Sequence, residues 1–133
     1  MDVAAREFVR QRAGNRCEYC HLPEEIDEWP FHLEHVIAKQ HGGSDEPDNI
    51  CWACSRCNLY KGPNLSSLDP ETGAHAALFH PRNQEWGDHF SLVDAKILGL
   101  TPIGRATARL FHMNDSRRLE LRAALIKRGV FPA

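Results

Sequence analysis

Two Cys-x-x-Cys pairs constrain the fold of this 133-residue chain more than any other feature. The first pair is Cys17 and Cys20, and the second is Cys54 and Cys57. Each pair can present two sulfurs to one ion, and two pairs complete the tetrahedron that structural zinc prefers. The long segment between the pairs costs little, because doubling a loop adds only ~0.6 kcal/mol of closure entropy. Structural zinc contributes on the order of 10–16 kcal/mol in small peptides, so we predict one structural Zn²⁺ held by these four cysteines.

One other interpretation of the two cysteine pairs competes with zinc binding. A thioredoxin-like redox pair is the main alternative, but such a motif occurs singly and near a parallel-sheet pattern that this chain lacks. The fifth cysteine, Cys51, lies in the apolar stretch at residues 50–53. We interpret it as a small buried hydrophobe rather than as a ligand or a redox group.

The length and the charge of the chain restrict its class. Residues 1–133 suit a single domain with one modest core. We find no signal peptide and no apolar run approaching ~18 residues, so we expect a cytoplasmic protein that has no membrane partner.

The formal net charge of −2 does not by itself indicate a protein that binds nucleic acid. However, residues 21–50 are acidic and residues 101–133 are basic, and a polyanion needs only a local basic face. Ordinary solvated helix faces explain this asymmetry equally well.

The hydrophobic pattern predicts a mixture of short strands and helices. In the centre we predict a strand, a loop, a second strand and a short helix, at residues 31–37, 41–49, 50–53 and 58–61. A first helix precedes them at residues 3–13. A connector, a β-hairpin and two helices follow them, at residues 63–75, 89–100, 101–113 and 114–129.

Three polar residues beside the second cysteine pair are of the types that hold a hard metal ion and activate water. Glu34 and His35 lie near the end of the first predicted strand, where both can approach one ion and one water. Asn58 directly follows Cys57 and can supply a neutral oxygen. A carboxylate and an amide oxygen, completed by waters, suit Mg²⁺ or Mn²⁺ better than zinc. Zinc with four thiolates has no open position, so chemistry would need this second site.

The order of these motifs resembles that of the HNH endonuclease family. Over residues 17–62 the chain reads Cys-x-x-Cys, then Glu-His, then HGGSDEPDN, then Cys-x-x-Cys-Asn-x-x-Lys-Gly. The resemblance implies an α+β fold with a small ββα-metal (treble-clef-like) core, in which two antiparallel strands and a helix surround one divalent ion. Within a single domain of residues 1–133 we expect this core and its structural zinc at residues 14–62. We expect a C-terminal extension at residues 76–133, with a β-hairpin and two helices, like that of many small bacterial HNH proteins.

The resemblance also implies a role for each polar residue. His35 is expected to be the general base that takes a proton from the attacking water. Glu34 and Asn58 are expected to hold the catalytic Mg²⁺ or Mn²⁺, and Asn49 to tie the loop and orient His35. The implied reaction is hydrolysis of phosphodiester bonds in nucleic acid, with double-stranded DNA as the expected partner. RNA, the specificity of cleavage and the oligomeric state are left open by the sequence.

Several basic side chains are candidates for contact with nucleic acid. These are Lys61, Arg82, Arg105 and Arg109, together with the cluster Arg117, Arg118 and Arg122 on the last helix. The aromatic run at residues 78–90 is either a stacking platform for bases or a satellite core.

The alternative function is a zinc-dependent nucleic-acid-binding module without catalysis. A pure zinc ribbon, however, has no reason to carry Glu34 and His35 together with Asn58. A third possibility also stays open, namely a catalytically weak HNH relative that acts as a DNA-binding adaptor.

Overall fold

A helix, two short strands and a second helix make up the first of two structural units. The computed structural model describes residues 2–132. The first unit comprises residues 2–63 with residues 80–83, and the second comprises residues 64–79 with residues 84–132. The combination of helices with three separate two-stranded sheets confirms the predicted α+β class.

The first unit has the predicted order of elements. They are α1 (Val3–Arg12), β1 (His32–His35), β2 (Ile50–Ala53) and α2 (Ser55–Lys61). Strands β1 and β2 pair antiparallel. The bounds of β2 are those predicted, whereas β1 is shorter than the predicted strand and α2 begins earlier than the predicted helix. Single turns of 3₁₀ helix occupy Glu24–Ile26, Lys39–His41 and Pro47–Asn49.

Trp52 on β2 is the centre of the core of the first unit. Its side chain is fully buried, and its ring centroid lies 6.2 Å from that of Phe31. The guanidinium carbon of Arg6 on α1 lies 4.8 Å from the centroid of the same ring. The indole N–H donates to Glu24 at 3.1 Å, so the polar end of this buried ring has a partner. This packing fixes the position of β2, and the second cysteine pair begins at the residue directly after β2.

The second unit contains two β-hairpins and three helices. These are β3 (Ser66–Leu68) with β4 (His75–Ala77), α3 (Trp86–His89), β5 (Phe90–Val93) with β6 (Lys96–Gly99), α4 (Pro102–Leu110) and α5 (Ser116–Lys127). The hairpin of β5 and β6 and the two last helices agree with the prediction. Thr101 caps α4, because its hydroxyl accepts from the N–H of Gly104 at 3.1 Å.

The β3–β4 hairpin refines the sequence prediction, which placed only a connector at residues 63–75. Each of its strands has three residues, which is too short to show an alternating pattern among Pro, Ser, Asp and Gly. Its turn is held by Asp69, whose carboxylate accepts from the N–H of Glu71 at 2.9 Å.

Three aromatic residues of the run at residues 78–90 form a core in the second unit. Phe79 and Phe90 are buried and pack edge to face with ring centroids 5.4 Å apart. Trp86 stacks on Phe90 with centroids 5.0 Å apart. This packing supports the satellite-core interpretation. No helix in the described part of the chain is both long enough and apolar enough to span a membrane.

Candidate functional site

Four cysteine thiols meet at the start of α2. The Sγ atoms of Cys17, Cys20, Cys54 and Cys57 all lie within 4.8 Å of one another, and all four residues are buried. The sulfurs of Cys20 and Cys54 are 3.8 Å apart. Tetrahedral zinc with Zn–S bonds of ~2.3 Å requires sulfur–sulfur distances of roughly 3.8 Å. The cluster therefore fits a structural zinc ion, as the sequence predicts.

The protonation chemistry of the cluster favours a bound cation. Burial, followed by the neighbouring thiols, raises the pKa of Cys17 well above its usual value, and burial does the same to the pKa of Cys57. A cation that binds thiolates releases these protons and neutralises the charge that burial penalises. The sulfur of Cys54 also accepts from the N–H of Cys57 at 3.5 Å. The thiol cluster and the first turn of α2 therefore stabilise each other.

Cys51 lies outside this cluster. Its thiol donates to the Tyr19 hydroxyl at 3.6 Å in the fully buried core. Burial raises the pKa of the Cys51 thiol to about 12. Cys51 is therefore a protonated interior side chain, which agrees with its interpretation from the sequence.

A buried ion pair joins β1 to α2. Glu34 is 8% exposed and Lys61 is 1% exposed. The ammonium of Lys61 lies 3.1 Å from Oε1 of Glu34, and it donates to the carbonyls of His35 at 3.1 Å and Gly62 at 3.3 Å. Burial raises the pKa of Glu34, and the charge of Lys61 opposes this shift. Sequence reasoning missed this pair, and the burial of Lys61 argues against the predicted direct contact with phosphate.

The side chain of His35 is turned towards the loop that follows β1. Its Nε2 lies 2.7 Å from Oδ1 of Asp45, and the other carboxylate oxygen of Asp45 lies 3.0 Å from the ammonium of Lys39. The hydrogen bond from His35, with that from Lys39, lowers the pKa of Asp45. The sequence reasoning did not single out Asp45. The sequence feature that could have pointed to Asp45 is its position as an acidic residue in the turn-rich run after His35.

Asn49 ties both ends of this loop together. Its side-chain oxygen accepts from the N–H of Ile37 at 2.9 Å. Its amide donates to the carbonyls of Ile37 at 2.9 Å and Ser44 at 2.8 Å. These are the loop contacts expected of Asn49, and its influence on His35 stays a prediction.

Asn58 lies in the middle of α2 and is half-buried. Its backbone N–H donates to the carbonyl oxygen of Cys54 at 2.9 Å, so the thiol cluster and this residue share one helical turn. Within residues 2–132 its side-chain amide makes no hydrogen bond, and none joins the His35 ring to Asn58 or Glu34. The structure thus brings Glu34 to the helix that carries Asn58, whereas the His35 ring lies against the loop.

Two of the predicted nucleic-acid contacts already have carboxylate partners. Arg82 forms an ion pair with Glu18, between the first two zinc-site cysteines in sequence. Arg105 binds Asp69 with two hydrogen bonds, of 3.0 and 2.8 Å. Either arginine would have to share or leave its carboxylate in order to bind a phosphate.

Two of the three arginines of α5, Arg118 and Arg122, serve the interior of the second unit. Arg118 donates to the carbonyl of Phe111 and Arg122 to that of Ala95, each at 2.7 Å, and both arginines are buried. This burial argues against the predicted role of Arg118 and Arg122 in tracking a nucleic-acid backbone, whereas that of Arg117, which is exposed, stays a prediction. Arg109 on α4 is exposed, and its contact with nucleic acid stays a prediction.

Comparison with known families agrees with this geometry. Residues 17–64 match the family model described as HNH endonuclease. The matched segment includes all four cysteines of the cluster, β1, β2 and α2. No curated protein and no solved structure matches the chain. The family match therefore covers the segment of residues 17–64 that holds the thiol cluster and the two paired strands.

Proposed function

We propose that the protein is a divalent-metal-dependent endonuclease that hydrolyses phosphodiester bonds in nucleic acid, with double-stranded DNA as its substrate. The observation that carries the proposal is the HNH match over the segment in which β1 ends in Glu34 and His35 and α2 carries Asn58. A zinc-binding segment without chemistry has no need of these three residues in this order.

The proposal assigns different work to two ions. The four thiolates hold zinc as a closed structural site. Glu34 and Asn58 would hold a second ion, Mg²⁺ or Mn²⁺, together with waters. Lys61 pairs with Oε1 of Glu34, which leaves the other carboxylate oxygen as a ligand, and the free amide of Asn58 offers a second. When bound, this ion supplies Lewis-acid neutralisation of the scissile phosphate and the leaving oxygen.

His35 is the general base of the proposed reaction. A neutral imidazole has a lone pair on one nitrogen, so it can take a proton from water as the water oxygen attacks phosphorus. The phosphorus–oxygen bond to the leaving sugar then breaks. The side chain is partly exposed at the end of β1, where a water molecule and a phosphate can reach it.

A zinc-dependent nucleic-acid-binding module without catalysis is the second candidate. One observation favours it, namely that Glu34 and His35 both have protein partners, Lys61 and Asp45. The two candidates differ in whether the protein breaks the phosphodiester bond or only binds nucleic acid.

A plasmid-nicking assay separates them. Zinc-loaded protein is incubated with supercoiled plasmid and Mg²⁺, Mn²⁺, Ni²⁺ or EDTA, beside the variant His35→Ala. The matched control is His75→Ala, which removes an exposed histidine from β4. Loss of a general base lowers the rate by ~10²–10⁴-fold, so we expect ion-dependent nicking by the wild type and the control and almost none by His35→Ala. Binding without nicking in every ion would support the binding module instead.

A further inference from the structure

We propose that Asp45 is a positioning residue for the catalytic histidine, which it holds in the tautomer that leaves Nδ1 free to act as the base. This inference rests on the proposed function. It adds a residue to the site that the motif His35, Asn49 and Asn58 does not contain.

The contact between the two side chains dictates the tautomer. Nε2 of His35 lies 2.7 Å from Oδ1 of Asp45. An ionised carboxylate has no proton to give, so Nε2–H must be the donor. Neutral imidazole carries one N–H and one lone pair, which puts the lone pair on Nδ1. Nδ1 is therefore the nitrogen that can accept a proton from water.

The loop between β1 and β2 is built to keep Asp45 in place. Asn49 fastens it with bonds to the backbone of Ile37 and Ser44. At Gly43 the chain passes so close to the end of β1 that an added Cβ would lie 1.7 Å from the carbonyl oxygen of Ile37. The loop thus has a fixed path immediately before Asp45.

Lys39 holds the second oxygen of the same carboxylate. Its ammonium lies 3.0 Å from Oδ2 of Asp45, so both oxygens have a partner and the carboxylate cannot swing freely. The side chain of Asp45 is 58% exposed, and exposed ion pairs contribute little to folding stability. The arrangement is better explained by the orientation of His35 than by stabilisation of the loop.

The same contact assists the reaction after proton transfer. As the water oxygen bonds to phosphorus, its proton passes to Nδ1 and the ring becomes an imidazolium. The carboxylate of Asp45 stabilises that charge without taking the proton. The phosphorus–oxygen bond to the leaving sugar breaks, and the departing oxygen receives a proton from solvent water.

The test combines kinetics with nuclear magnetic resonance. Asp45→Ala removes the acceptor, and Asp45→Asn keeps the shape while an amide can accept from or donate to the ring. Glu46→Gln is the matched control, because it neutralises the neighbouring exposed carboxylate. Loss of a carboxylate that orients a metal-ligating histidine costs ~10–100-fold in activity, and we expect the same range for the partner of His35. We expect kcat to fall by that factor in Asp45→Ala, and less in Asp45→Asn, with KM for plasmid and zinc content unchanged.

Imidazole ¹⁵N shifts of His35, measured where the ring is neutral, give a second reading that does not depend on activity. We expect the Nε2–H tautomer in the wild type and in Glu46→Gln, and a mixture of tautomers in Asp45→Ala. A wild-type ring protonated on Nδ1, or a kcat of Asp45→Ala within about twofold of the wild type, would overturn the inference. An inactive wild type with the Nε2–H tautomer would instead refute the proposed function while supporting the positioning.

Discussion

Replacing Lys61 by methionine isolates the buried ion pair on which the arrangement of β1 and α2 depends. The ammonium of Lys61 contacts the carboxylate of Glu34 and donates to the carbonyl of His35, both at 3.1 Å. Methionine keeps most of the apolar stem and removes the charge. Glu34 would then be a carboxylate buried against an apolar side chain.

The expected loss of stability follows from that uncompensated charge. Removing one partner of a buried ion pair costs about 3–5 kcal/mol. Glu34 can limit the loss by taking up a proton, because burial already raises its pKa, and each pKa unit is worth about 1.4 kcal/mol. We therefore expect Lys61→Met to lower the free energy of unfolding by about 3–5 kcal/mol near neutral pH. The double variant Glu34→Gln with Lys61→Met should recover most of this, because it no longer leaves an uncompensated charge in the interior.

Urea unfolding followed by tryptophan fluorescence measures the effect. Every variant is held at the same free zinc concentration and without Mg²⁺ or Mn²⁺, since bound metal changes the apparent stability. Lys39→Met is the matched control, because it removes an exposed lysine of the same unit and should change stability by less than about 0.5 kcal/mol. A loss below about 1 kcal/mol for Lys61→Met, or no recovery in the double variant, would refute the reasoning.

Three further predictions concern the zinc site, the loop and the second unit. Cys57→Ser should lose zinc by elemental analysis, melt α2 by circular dichroism and abolish nicking; retention of both zinc and activity would contradict the structural role. Asn49→Ala removes three hydrogen bonds of the loop and should cost about 1–3 kcal/mol in urea unfolding, whereas an unchanged midpoint would show that the loop does not need them. Hydrogen bonds from Arg105 lower the pKa of Asp69 from 3.8 to about 2, so its contribution is complete above the unfolded pKa and is lost as pH falls from 3.8 towards 2. Asp69→Asn should accordingly flatten the decline of the urea midpoint over that interval, and an unchanged decline would exclude this carboxylate.

Much of the first unit could be predicted because its signals are local. The two Cys-x-x-Cys pairs fix the ligands of one ion whatever the length of the segment between them. Residues 50–53 form a short apolar run between Asn49 and Cys54, and they are the whole of β2. The start of α4 was equally local, because threonine and proline at residues 101 and 102 specify a helix start without help from distant residues.

The features that escaped prediction depend on contacts between distant residues. Lys61 is a lysine near a helix end by sequence, and only the packing of α2 on β1 makes it buried. Asp45 is one of several acidic residues in its loop, and the folded path of that loop decides which one meets His35. The two buried arginines of α5 have the sequence pattern of a solvated face, and they are interior because nearby carbonyls accept from them.

Titration of zinc-loaded protein with Mn²⁺, followed by electron paramagnetic resonance, tests whether two separate ions divide the work. The wild type should keep its zinc throughout and bind one Mn²⁺ per chain. Asn58→Ala should keep the zinc and bind Mn²⁺ far more weakly, because only the second site loses a ligand. A wild type that binds no Mn²⁺, or an Asn58→Ala variant that binds it as well as the wild type, would contradict the proposed division between a structural and a catalytic metal.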